Sequence, residues 1–257
     1  MPYALITGGS SGIGLAIAKE MASRNYNLIL VSNDNSGLHI ARESIIDLFD
    51  VQCEVFAIDL TLSDSAYEIH AFCKTKEIDV LVLNAGMYFF GLAVDQDVKQ
   101  IAKMVQLHVQ SPSELSSLFG QEMKQRRSGH ILINSSISAF KSFPGIVHYG
   151  STKNYLRALA RSLRLELKPY NVNVSCLLPG ATNTGLYNAD PKTMARASKW
   201  GFVMTPENVA KIAVNKMLAK KAMIVPGLLN KLTAVLLPII PYGLIYLIRK
   251  HSSILKE

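Results

Sequence analysis

Tyr149 and Lys153, in the stretch "HYGSTKNYL", stand four positions apart, a spacing that on a helix sets both on one face. A free phenol, with a pKa of about 10, exchanges protons sluggishly at neutral pH, and a neighbouring ammonium stabilises its phenolate. The pair is therefore a candidate acid/base unit. Spacing alone decides little, because Tyr246 and Lys250 repeat it in "YLIRK". What precedes each pair separates them. Ser136 closes the strand-like run "HILINSS", and a hydroxyl at a strand's C-terminal end is placed to hydrogen-bond an oxygen on which charge develops. Thr233 stands at the same offset before Tyr246, but inside an apolar helical pattern with no strand before it. The second pair reads as the end of a helix with lysine near its C-terminus.

Such a set needs a scaffold that brings strand ends and helix starts together. Near-continuous apolar runs at 3–7, 27–32, 53–60, 79–86, 130–136, 172–180 and 223–227 read as strands covered on both faces. Helical patterns at 12–24, 36–48, 62–75, 96–124, 149–168 and 206–220 alternate with them. The expected fold is α/β: a doubly wound, Rossmann-like parallel sheet of about seven strands, one domain over 1–227. The first strand runs into "TGGSSGIG", where Gly8, Gly12 and Gly14 allow phosphates to approach main-chain N–H groups at a helix N-terminus. Placed strand–turn–helix, that pattern points to nucleotide binding.

These motifs together resemble the short-chain dehydrogenase/reductase family, over residues 3–227. Thr7 and the glycines Gly8, Gly12 and Gly14, with Ser10 and Ile13 between them, match its cofactor loop. Asp59-Leu60 matches the pair at the adenine ring, and Asn84-Ala85-Gly86 the strand end that approaches the cofactor. Pro179-Gly180, with Thr182 and Thr184, matches the loop at the nicotinamide amide. Ser136, Tyr149 and Lys153 match the catalytic serine, tyrosine and lysine in order and spacing, whereas Ser135 is off by one; His148 and Ser151 are assigned no catalytic role. The resemblance implies that Tyr149 is acid in reduction and base in oxidation, that Lys153 tunes it and holds the nicotinamide ribose, and that Ser136 positions the carbonyl. The chain departs from the family at His108, where many members carry an asparagine that supports a water. A histidine there is either a relay, since it titrates near neutrality, or a structural hydrogen-bonding residue.

Ser32, with Asn33 following, ends the second strand where an acidic residue would bind a ribose 2′-hydroxyl; Asp34 comes late. The expected cofactor is NADP(H), with NAD(H) the alternative. The resemblance runs toward the branch with ketoacyl reductases and hydroxysteroid dehydrogenases. It implies a lipophilic ketone or 3-oxoacyl substrate, with Tyr187, Met194 and Trp200 in the expected lid. It also implies a homo-oligomer, dimer or tetramer, paired through the helices at 96–124 and 149–168. The competing reading is a catalytically weak regulatory or scaffold protein that keeps the dinucleotide fold.

With 49% hydrophobic and 18% charged residues, the chain has ample core material. Its formal net charge of +8 is scattered over helical segments, as on solvated faces, and is not expected to serve nucleic acid. Cys53, Cys73 and Cys176 form no CxxC, and no metal-ligand cluster is seen, so no metal is expected and a reducing, cytoplasmic setting is. Met1-Pro2 leads straight into the first strand, leaving no room for a signal peptide. The extension at 228–257 is apolar, uncharged from Leu232 to Ile248 and interrupted by Pro238, Pro241 and Gly243. It reads as two short helices with a bend that form a cap, a subunit interface or a peripheral membrane contact.

Overall fold

A computed structural model describes residues 1–184 and 203–251, the last few of these by backbone alone. Seven strands form one all-parallel sheet in the order β3-β2-β1-β4-β5-β6-β7. They are β1 (Tyr3–Thr7), β2 (Asn27–Ser32), β3 (Cys53–Ala57), β4 (Ile78–Leu83), β5 (Gly129–Asn134), β6 (Val172–Leu177) and β7 (Met223–Ile224). The order reverses between β1 and β4, which opens a crevice at their C-terminal ends.

Period-two side-chain alternation explains why the strands are apolar throughout. Ile6 and Leu30 point into one core with helices α1 (Gly12–Ala22) and α2 (Asn35–Ile46), while Leu5 and Ile29 point into the other. The second core also packs α3 (Ser65–Phe72), α5 (Ser111–Arg126) and α6 (Val147–Leu167). Every one of those four strand side chains is fully buried.

Several strands stop short of the apolar runs that encode them. The expected 53–60, 79–86, 130–136 and 172–180 end as strands at Ala57, Leu83, Asn134 and Leu177. The residues left over leave the sheet as loops along its C-terminal edge, where they line the crevice. The expected helix 96–124 is likewise interrupted. It begins as α4 (Val98–Val105), passes through a π-turn at Gln106–Gln110, and resumes as α5. Pro112 supplies the reason: it has no N–H to offer the carbonyl of His108, and its ring would collide with that carbonyl in a regular helix. The wider turn lets the Ser111 N–H reach back to Gln106 O instead.

Beyond β6 lie α7 (Pro206–Leu218), capped by the Thr205 hydroxyl, and then β7. The extension forms α8 (Leu228–Leu236), a 3₁₀ turn at Leu237–Ile239 and α9 (Tyr242–His251), so it bends at the prolines. Among the described residues no helix is long and apolar enough to cross a membrane.

Candidate active site

The crest of the sheet is held by hydrogen bonds among strand ends. The Thr7 hydroxyl accepts from the Asn84 and Ala85 N–H groups at 2.9 and 3.1 Å, tying β1 to β4. Asn84 Nδ2 donates to Thr7 O, and Asn134 Nδ2 donates to Asn84 Oδ1 at 2.8 Å, extending the tie to β5. These bonds set the glycine loop. Gly8 has a φ of +66°, and a Cβ there would stand 2.9 Å from Ala85 Cα, so only glycine fits. A Cβ on Gly14 would fall 2.0 Å from Gly8 O, so this glycine lets α1 press against the loop. Gly14 does not line the cleft itself, in contrast to its expected place among the cofactor-contacting residues.

The cleft has a volume of about 570 Å³. Gly8, Ser10, Gly12, Ile13, Ser32, Asn33, Asp59, Leu60, Asn84, Ala85, Gly86, Pro179, Gly180 and Thr182 line it, together with Ser136, Tyr149 and Lys153. Residues from seven separate stretches of sequence thus meet in one space. At its floor, the α1 N-terminus carries no side-chain cap and no acidic residue in its first turn. Bare N–H groups, glycines and the helix dipole together suit a pyrophosphate, so the cradle fits a dinucleotide.

At the other end, Ser136 begins a 3₁₀ turn, its Oγ accepting from the Ser138 N–H at 3.1 Å. Tyr149 and Lys153 share the inner face of α6, both nearly buried. Lys153 Nζ lies 5.6 Å from the Tyr149 ring centre and donates to Asn134 O at 3.0 Å. Burial pushes the Lys153 ammonium down to about 8. The Tyr149 ring is held edge-on between Tyr88 and His108, with centroids at 5.1 and 5.9 Å. Ser135 also borders the cleft, but its hydroxyl is taken up in donating to Lys153 O. Tyr246 is exposed on α9, far along the chain from any cleft residue.

His108 sits behind the cleft rather than in it. Its Nε2 accepts from the Met87 N–H at 2.9 Å, and its Nδ1 lies 3.0 Å from the Thr152 hydroxyl. That hydroxyl donates to Tyr149 O, so Nδ1 must carry the proton and donate to Thr152. Burial, and then the Lys153 charge, hold the imidazole well below its ordinary pKa. Both ring nitrogens are therefore committed in the neutral form.

Asn134 is a site residue that the sequence reading passed over; the only trace was its place just before Ser136 in "INSS". Gln100 and Lys103, one turn apart on α4, also border the cleft. Asn230 of α8 lies where a Cβ on Gly180 would meet its Oδ1 at 2.2 Å, so the extension buttresses the expected nicotinamide loop. Its signal was one uncharged polar side chain among the leucines of "GLLNKL". Thr182 forms a bridge with Met204, closing the base of the segment between them. Tyr187, Met194 and Trp200 lie outside the described residues.

Residues 2–195 match the family model described as short chain dehydrogenase. The chain belongs to that family. As a short-chain dehydrogenase it is an oxidoreductase whose fold binds a nicotinamide dinucleotide. It is 34% identical over 230 residues to an uncharacterized oxidoreductase, YmfI, of Bacillus subtilis, covering 87% of this chain and 94% of that protein. It is 29% identical to the mouse very-long-chain 3-oxoacyl-CoA reductase, over 78% of this chain and 66% of that longer protein. A short-chain dehydrogenase from Sphingobium yanoikuyae, solved in complex with NADPH, superposes with a TM-score of 0.81 at 27% identity, covering 98% of both chains.

Proposed function

We propose that the protein reduces a lipophilic ketone or 3-oxoacyl compound with NADPH, and reverses the reaction with NADP⁺. The observation that carries this reading is the convergence of Ser136, Tyr149 and Lys153 on the cleft that the glycine loop opens. The glycine loop, Asn84-Ala85-Gly86 and the Pro179-Gly180 loop would hold the dinucleotide, which when bound supplies the hydride. The Ser136 hydroxyl donates to the substrate oxygen and polarises the carbonyl. The Tyr149 phenol delivers a proton to that oxygen as charge gathers there. Lys153 stabilises the phenolate left behind, and its bond to Asn134 O fixes the ammonium beneath the ring. His108 acts as a positioning residue: through Thr152 it anchors the first turn of α6, on which Tyr149 sits.

Preference for NADPH is supported by the absence of an acid at the end of β2. Ser32 Oγ lies 3.0 Å from Ser10 Oγ, and the Asp34 carboxylate is taken up in capping α2 through the Gly37 N–H. The mouse 3-oxoacyl-CoA reductase similarity and the NADPH-bound neighbour support the substrate class and cofactor. Cys53, Cys73 and Cys176 are free, buried and pushed up to about 11, 12 and 12, which suits a cytoplasmic setting. Pairing of copies through the outer faces of α4, α5 and α6 is supported by exposed Val105, Tyr155 and Leu165. The test is absorbance at 340 nm with NADPH and a panel of ketones and 3-oxoacyl thioesters. Wild type should consume NADPH, and Tyr149→Phe should lower turnover by roughly 10²- to 10⁴-fold. Equal turnover by the phenylalanine variant would rule the mechanism out.

A further inference from the structure

We propose that α8 and α9 form a docking face for an anionic lipid surface. On α8, Leu228, Leu232 and Val235 share one outward stripe and are 75%, 55% and 67% exposed, with Leu236 beside them. Ile239 at the bend and Tyr242 and Leu244 on α9 extend the apolar surface. Asn230, Ala234, Leu237 and Ile245 face inward and are buried. The two helices therefore lie on the protein with one side seated and the other bare. The seat is well defined: Asn230 Nδ2 donates to Pro226 O at 2.9 Å, and the Lys141 ammonium stands 3.8 Å over the Tyr242 ring.

Charge selects the occupant. From Leu228 to Glu257 the sequence holds Lys231, Arg249, Lys250 and Lys256 against a single acidic residue, Glu257 at the end. Lys231 is exposed within the apolar stripe. A second copy would bring only further cations to a face that carries no carboxylate among its described residues, 228–251. An anionic membrane offers the opposite charge together with an apolar layer, and tyrosines suit its boundary. The prolines keep each helix too short to span a bilayer, so this apolar surface can meet lipid only along its plane.

The face adjoins the cleft, since α8 supports the Pro179-Gly180 loop. Docking would then bring a lipid-dissolved ketone beside Tyr149; this consequence rests on the proposed function, whereas docking itself does not. The test is co-sedimentation of the full chain with mixed phosphatidylcholine–phosphatidylglycerol vesicles and with pure phosphatidylcholine vesicles. Pelleting should require the anionic lipid and weaken as salt rises. The double variant Leu232→Glu/Val235→Glu should stay in the supernatant, and Lys231→Glu should bind about tenfold more weakly. NADPH affinity and turnover of a water-soluble ketone should be unchanged in both, which shows that they fold. A wild-type chain that stays in the supernatant overturns docking, as does equal binding to neutral vesicles. Light scattering that shows an oligomer split by the double variant assigns the face to a second copy instead. A chain that pellets without oxidising NADPH sinks the proposed function and leaves docking standing.

Discussion

Lys153 shows how the proposed site would trade stability for chemistry. Its ammonium is held at about 8 rather than 10.5, so at neutral pH the fold carries a dry charge at a cost of about 3 kcal/mol. Because the folded value is depressed, this penalty is full below pH 8 and relieved as pH rises toward 10.5. Lys153→Met should abolish turnover yet leave the melting temperature equal or raised, as calorimetry would show; a clear loss of stability would contradict the desolvation argument. In the wild type, reduction should decline as pH passes 8, where the ammonium that stabilises phenolate is lost. At the other end of the cleft, Ser32→Asp should place a carboxylate where a 2′-phosphate would sit. The ratio of NADPH to NADH affinity should fall at least about tenfold in a fluorescence titration, and an unchanged ratio would move the specificity determinant elsewhere.

Helix α4, the π-turn and α5 form the element that decides His108. Pro112 breaks the regular ladder, and the turn aims the imidazole between the β4 crest and α6. Removing the ring by His108→Ala should cost about 2–4 kcal/mol in chemical denaturation, since a buried cavity and an unpaired Met87 N–H remain. His108→Asn retains polar groups there and should preserve turnover far better than Ser136→Ala does. A collapse of His108→Asn to the Ser136→Ala level would argue against a positioning role. Acid provides an independent check. Folding keeps His108 neutral while the unfolded chain takes a proton near pH 6.5, so stability falls as pH drops below that value. The slope is at most about 1.4 kcal/mol per pH unit, and His108→Asn should lose that share of it.

For the whole molecule, the switch between β1 and β4 gathers the loops that the chain spaces far apart. Thr7, Asn84 and Asn134 are locked to each other although β1 and β5 lie more than a hundred residues apart in sequence. The extension belongs to the same scale, because it presses Asn230 onto Gly180. Asn230→Leu should loosen that support and raise the KM for NADPH several-fold while Tyr149 chemistry persists. Initial-rate kinetics would show this, and an unchanged KM would make the contact incidental.

Residue types, order and local spacing were enough to determine the alternation of strands and helices and the glycine loop, and to single out Tyr149 and Lys153 rather than Tyr246 and Lys250 as the candidate pair. Those features arise from short-range rules: side-chain periodicity, the conformational freedom of glycine, and a helical turn between residues four apart. Which face of α4 would turn Gln100 and Lys103 to the cleft was settled only by packing, as were the hydrogen bonds that keep His108 neutral and the contact of Asn230 with Gly180. Each depends on the distance between elements remote in sequence, and no local pattern encodes a distance across the sheet.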